Sequence, residues 1–268
     1  MTRSGFSRTF SNEDKFLHAK VAVVTGGGTG IGRAVALSLA NRGAKIALLG
    51  RRIEPLREVA AKIEGDVIFR SVDVRDRNAQ VAVFREIATV LGPPHILVAN
   101  AGIGGPDVWA GEDRFDDIVR TNINGAYYSI RAFQSQMESG PNPRHIIVMS
   151  SCVARFGVAG IAGYSASKAG QLGLTRSLAA ELAADQVRVN AICPGWVDTE
   201  MAKDRMSELG EMENVTYEDQ KRRLIEEVPL GRLTSPQEIA ELVTFICSPW
   251  GASFTGQAFD PNDGQWMG

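Results

Sequence analysis

Two groups of residues in this chain have the types and spacing to do chemistry together. Tyr164 and Lys168 stand four positions apart, with Ser151 thirteen positions before the tyrosine. A glycine-rich run, Thr25-Gly26-Gly27-Gly28-Thr29-Gly30-Ile31-Gly32, lies near the N-terminus. On a helix, residues four apart share a face, so the phenol and the ammonium are neighbours. A free phenol titrates near ~10, too high for efficient proton transfer at neutral pH. A lysine ammonium, together with the positive charge of an oxidised nicotinamide, is expected to favour the phenolate and lower that value. Tyr164 then acts as general acid when a carbonyl is reduced and as general base when an alcohol is oxidised. The Ser151 hydroxyl can hold the substrate oxygen as a small polarising donor. With a turn able to hold a dinucleotide, the set predicts an oxidoreductase.

In the glycine run, Gly26 lets the chain turn sharply out of a strand. Gly30 and Gly32 remove side chains where backbone must approach pyrophosphate and where a helix packs on a sheet. Gly28, Thr29 and Ile31 complete the turn, and the helix starting there directs free N–H groups and its positive dipole end at the phosphates. No Lys-Ser/Thr pair closes the run, which excludes a P-loop. After the second strand comes Gly50-Arg51-Arg52, with no carboxylate before Glu54. Arginine can clamp a 2′-phosphate through paired charged hydrogen bonds, so Arg51 and Arg52 favour NADP(H) over NAD(H). The plain alternative is two solvated arginines at a strand end. Asp73-Val74 can flank an adenine, the competing reading being a turn-forming aspartate. Asn100-Ala101-Gly102 places small residues where a strand exit can pass under a ribose.

Further along, Pro194-Gly195-Trp196-Val197-Asp198-Thr199 can bend over a nicotinamide, with Thr199 able to bond its carboxamide or phosphates. Trp196 and Phe156 are candidate walls of an apolar substrate pocket, and Arg155 a candidate partner for a substrate carboxylate; core packing and a surface arginine are the alternatives. Ala166, Ala169, Gly170 and Gly173 form a face of small residues, suited to close helix packing against another subunit or this subunit's own sheet.

The elements that must position these residues alternate. Short apolar, β-rich runs at 20–25, 44–49, 67–72, 95–99, 145–150 and 187–192 read as buried strands. Helical periodicity runs over 30–41, 54–64, 78–91, 114–137 and 164–184. Such alternation predicts an α/β fold, a doubly wound parallel sheet with right-handed crossovers and helices on both faces. Ligands of these sheets bind beyond the carboxyl ends of the strands, which is where the candidate segments fall. The polar stretch 200–228, with Met201, Met206 and Met212, breaks the rhythm and is expected to be a substrate lid.

In Thr25-Gly26-x-x-x-Gly30-x-Gly32, Asn100-Ala101-Gly102, Asn122, Ser151, Tyr164-x-x-x-Lys168 and Pro194-Gly195, the chain resembles the short single-domain branch of the short-chain dehydrogenase/reductase superfamily. The motifs span most of the chain in the family's order. The resemblance implies a Rossmann-type sheet of about seven strands and usually a homotetramer. It also implies that Lys168 holds the nicotinamide ribose and that Asn122 helps connect it to a water-mediated proton path. Ala99 departs from the asparagine many members carry there, and Asp260-Pro261-Asn262-Asp263-Gly264 from a more usual Val-Asp-Gly-Gly stretch.

The bulk numbers fit one catalytic domain over 19–268 behind a loosely ordered arm, 1–18. The chain has 268 residues, and such folds reach roughly 200–250 without dividing. A formal charge of −2 provides no basic field for nucleic acid or anionic membrane. Cys152, Cys193 and Cys247 show neither a disulfide framework nor metal-ligand spacing; Cys152 reads as a small core residue rather than a nucleophile. No run approaches the ~18 apolar residues of a membrane span, and the chain is expected to be cytoplasmic, acting on a small carbonyl or alcohol. An NAD-dependent alcohol dehydrogenase and a non-catalytic dinucleotide-binding regulator are the alternatives.

Overall fold

The structure, a computed structural model, describes residues 15–109, 111–138, 140 and 142–268. Its first half alternates as the periodicity predicts: β1 (Val21–Thr25), α1 (Gly30–Asn41), β2 (Lys45–Gly50), α2 (Ile53–Ala60), β3 (Val67–Ser71), α3 (Arg77–Leu91) and β4 (Ile96–Ala99). A hairpin of two-residue strands, β5 (Val108–Trp109) and β6 (Glu112–Asp113), precedes α4 (Phe115–Val119) and α5 (Gly125–Gln134). There follow β7 (Arg144–Met149), α6 (Ala162–Leu182), β8 (Val187–Ile192), α7 (Glu200–Glu213), α8 (Tyr217–Glu226), α9 (Pro236–Ile246) and β9 (Ala258–Phe259).

Seven strands form one parallel sheet in the order β3-β2-β1-β4-β7-β8-β9. Side chains alternate across a strand, so each buries its odd and even residues in different layers. Ala22, Val24, Ile96, Val98 and Ile147 pack with α1 and α9. Val21, Val23, Leu97, Ile146 and Val148 pack with α3, α5 and α6. This two-sided burial explains why the strands read as continuous apolar runs. The order reverses between β1 and β4, opening a crevice beyond their carboxyl ends. β9, only two residues long, is too short to carry a periodic signal of its own.

Several segments differ from the sequence reading: α9 and the β5–β6 hairpin have no counterpart in it, and α2 ends at Ala60 instead of 64. The helix expected over 114–137 is interrupted by a π-helical turn, Arg120–Asn124, between α4 and α5. The stretch 200–228 forms two helices hinged at Asn214, whose φ of 53° is left-handed; Met206 is buried while Met201 and Met212 face solvent. Of the expected N-terminal arm, Leu17 is buried in the core and Phe16 packs against it, while residues 1–14 lie outside the described residues. Among the described residues no helix is long and apolar enough to cross a membrane.

His145, the second residue of β7, is buried beside Arg188 and Lys20, and burial first and these cations second push its pKa down to about 4. From pH 6.5 down to about 4 the unfolded chain therefore binds a proton that the folded chain excludes. Stability is lost as pH falls through that window, by about 3 kcal/mol at its lower end. His145→Leu should remove this component. Urea midpoints measured at about pH 7 and about pH 4.5 should then lie closer together in the variant than in the wild type; equal separation refutes the assignment.

Candidate active site

The exits of β1 and β4 are tied together by hydrogen bonds. Thr25 Oγ1 accepts from the backbone N–H groups of Asn100 and Ala101, each at 3.0 Å, and Asn100 Nδ2 donates to the carbonyls of Thr25 (3.1 Å) and Gly26 (3.2 Å). Gly26 (φ 64°) and Gly30 (φ 50°) adopt left-handed backbone that strains any other residue. A Cβ at Gly32 would overlap the Gly26 carbonyl, and one at Gly28 would lie 2.9 Å from Pro55. Thr29 precedes α1 without capping it, and the first turn carries no acid. The N–H groups and positive dipole end at Ile31 and Gly32 are thus left for an external anion. Thr199 closes the other side, its methyl 3.1 Å from where a Gly30 Cβ would stand. This cradle fits a dinucleotide pyrophosphate.

Arg51 and Arg52 are exposed beyond β2, and neither has an ion-pair partner among the described residues. The Arg51 carbonyl accepts from Ser71 Oγ at 2.8 Å, and the Arg51 charge acts on nearby Asp73. Asp73 differs: Arg75 grips both its oxygens, at 2.6–3.1 Å, and this holds its carboxyl below the usual range. The carboxylate expected to meet an adenine thus already has a partner. Val74 packs on α5, so tightly that a Cβ at Gly125 would lie 2.6 Å from its methyl.

Across the crevice, α6 carries Tyr164 and Lys168 on one face. Lys168 is buried; its Nζ donates to the Met149 carbonyl at 2.8 Å and lies 5.5 Å from the centre of the Tyr164 ring. A Cβ at Gly102 would lie 3.6 Å from that Nζ and one at Gly104 would lie 3.4 Å from the Tyr164 ring, so the β4 exit runs directly beneath both. Ser151 follows β7, its Oγ accepting from the Val153 N–H at 3.4 Å. The Tyr164 residue is partly exposed, but its hydroxyl end lies inside. Burial pushes the phenol up to about 12, against the opposing hydrogen bond with Ser151. Burial likewise brings Lys168 down to about 8. The depression expected at Tyr164 is therefore reversed in the protein by itself, because desolvation of a phenolate outweighs the hydrogen bond from Ser151.

Asn122 sits in the π-helical turn, fully buried. Its amide accepts from the Ile103 N–H and donates to the Ile103 carbonyl, both at 2.9 Å, and donates to Ser167 Oγ at 2.9 Å. Its backbone carbonyl accepts from Gln171 Nε2 at 2.8 Å. Asn122 thus binds the β4 exit to α6, the helix that carries Tyr164.

Beyond β8, the Pro194 carbonyl accepts from the Cys152 N–H at 2.9 Å, and Val197 bridges to Thr234. Gly195 leaves no room for a side chain beside Gln265. Thr199 caps α7. Trp196 is partly buried and Phe156 is 37% exposed. Arg155 pairs with Asp260 at 3.0 Å and lies over the Trp266 ring at 4.8 Å. The carboxylate partner expected from a substrate is supplied by the chain itself. Cys152 is buried, and desolvation raises its thiol, which suits a core residue.

The sequence reading missed Asp107 and Gln171. Asp107 caps α6 from a distant loop, accepting from the N–H groups of Ala162 (2.6 Å) and Gly163 (2.7 Å). The available signal was Ile161 at the helix start, a residue that cannot cap and so leaves donors for a remote acceptor. Gln171 had no signal, since its partner is the backbone carbonyl of Asn122, forty-nine residues away.

Residues 20–210 match the short chain dehydrogenase family. The chain is 34% identical over 256 residues to a 3-oxoacyl-(acyl-carrier-protein) reductase of Pseudomonas aeruginosa, covering 94% of this chain and 99% of that protein. It is 35% identical over 251 residues to an acetoacetyl-CoA reductase of Shinella zoogloeoides, covering 93% and 99%. A crystal structure of a short-chain type dehydrogenase/reductase from Mycobacterium marinum superposes with a TM-score of 0.83 at 29% identity, covering 96% of this chain and all of that one. With the doubly wound sheet, the glycine cradle and the Ser151, Tyr164 and Lys168 cluster, these likenesses make the chain a member of the short-chain dehydrogenase/reductase superfamily, an oxidoreductase acting on CH–OH/C=O pairs with a nicotinamide dinucleotide.

Proposed function

We propose that this protein reduces a ketone or aldehyde with NADPH, and in the reverse direction oxidises the corresponding alcohol. The observation that carries the reading is the convergence of a buried tyrosine hydroxyl, Ser151 and Lys168 on the glycine-lined exit of β4. The dinucleotide would be held by the turn from Gly26 to Gly32, by the Asn100–Gly102 segment and by Thr199, and when bound it supplies the hydride. Ser151 orients the substrate oxygen, and Tyr164, kept neutral by burial, donates its phenolic proton to that oxygen. Lys168 holds the ribose side of the site, and Asn122 positions α6 against the β4 exit. Arg51, which has no ion-pair partner among the described residues, takes the 2′-phosphate, with Arg52 beside it. Helices α7 and α8 serve as the substrate lid, beside a pocket walled by Trp196 and Phe156. The relatives' names make 3-oxoacyl thioesters the first substrates to assay. Ala166, Ala169 and Gly173, exposed along α6, offer a subunit contact for a homotetramer.

Two variants test this. Tyr164→Phe should keep NADPH binding, followed by nucleotide fluorescence, while turnover drops about 10²–10⁴-fold; undiminished turnover removes the proton-transfer role. Arg51→Ala should weaken NADPH binding about tenfold or more and leave NADH binding nearly unchanged. Equal weakening for both nucleotides removes the 2′-phosphate role of Arg51, and tighter NADH binding by the wild type points to NAD.

A further inference from the structure

Strands of a doubly wound sheet are covered on both faces, so basic side chains gathered at their starts call for a reason. At the edge remote from Tyr164 the four central strands carry such side chains together. Lys20 precedes β1, His95 precedes β4, and His145 and Arg188 are the second residues of β7 and β8. His145 and Arg188 are register partners, and the His145 N–H donates to the His95 carbonyl at 2.9 Å. The order β1-β4-β7-β8 thus lays a row of basic side chains across one end of the sheet. Between this row, the Phe16–Leu17 turn and the end of α9 lies a cavity of about 300 Å³.

His145 lines that cavity, is only 4% exposed, and neither of its ring nitrogens has a hydrogen-bond partner among the described residues. A buried polar group without a partner is costly, and an acceptor delivered into the cavity relieves that cost. Lys20 and Arg188 act on the same ring and have no ion-pair partner among the described residues; Arg188 Nε donates to the Ala252 carbonyl at 2.7 Å. His95 is faced by Lys20, Glu138 and Arg144, and its Nδ1 accepts from the Val21 N–H at 3.3 Å. The remaining wall is mostly apolar, formed by Phe16, Leu17, Ile96, Pro143, Pro249 and Ala252. A cationic corner beside an apolar, half-open wall suits a ligand with one anionic end and a hydrocarbon body. At the roughly 30 Å³ a water takes up in the liquid, the volume is that of about ten water-sized groups, room for a short hydrocarbon chain with its head group. We propose that this cavity is a second binding site, separate from the Tyr164 crevice, for a medium-chain monocarboxylate whose head group is held by Lys20, His145 and Arg188.

The chain has three histidines, His18, His95 and His145, so ring signals in ¹³C-histidine-labelled protein locate binding directly. Titration with octanoate should shift His145 and His95 saturably and leave His18, which does not line the cavity, in place. 1-Octanol and octylammonium should produce no comparable shift. Lys20→Met and Arg188→Met, each removing one charged donor, should weaken octanoate binding about tenfold while leaving turnover unchanged. Tyr164→Phe should bind octanoate as the wild type does, whatever becomes of the proposed reductase activity. Unmoved His145 and His95 signals overturn the site. A response to octanol equal to that to octanoate reduces the cavity to an apolar void and overturns the anion assignment.

Discussion

The amide of Asn122 has no access to water, and all its hydrogen-bonding groups are used within the protein. It holds both backbone groups of Ile103 and the hydroxyl of Ser167, which in turn donates to the Tyr164 carbonyl at 2.8 Å. A buried amide this fully paired tolerates little displacement, because each lost bond leaves a desolvated polar atom behind. The strand exit that passes under the cofactor cradle and the helix that carries the phenol are therefore one mechanical unit. Asn122 lies within the π-helical turn, and its carbonyl also accepts from Gln171 Nε2.

Around that unit the dominant electrostatic effect is desolvation. It raises Tyr164 to about 12 and lowers Lys168 to about 8, so both groups are biased toward their neutral forms. A neutral phenol is the form that can donate a proton, which fits carbonyl reduction. Lys168 is oriented by the Met149 carbonyl at the end of β7, so the strand that delivers Ser151 also places the ammonium. The parallel register brings these pieces to one edge: every strand runs the same way, and each exit adds a segment to the same crevice.

Much of this was legible along the chain. Apolar runs bounded by turn residues marked six strands, because strands buried on both faces have no other way to be written. The glycines at 26, 30 and 32 announced a cradle, and the spacing of Tyr164 and Lys168 a shared helix face. The hairpin at 108–113 and β9 left no trace, being too short for periodicity. Arg155 was misplaced because its partner, Asp260, lies over a hundred residues away and reaches it only after the chain returns to the sheet. The break in the helix over 114–137 was invisible as well, since Asn122 departs from helical geometry for the sake of partners on β4 and α6.

By itself the sequence determined what depends on local spacing and composition: the alternation of strands and helices, the glycine turn, and the residue types that can move a proton. These are written in intervals of two to four residues, over which backbone geometry is fixed by sterics. The tertiary structure alone decided the quantities that depend on burial and on distant neighbours. It set the direction of the Tyr164 and Lys168 shifts, the capping of α6 by Asp107, the internal pairing of Asp73 and Arg155, and the row of basic residues across the far edge of the sheet. Desolvation and ion pairing are properties of a three-dimensional environment, and that environment exists only once the strands have been ordered side by side.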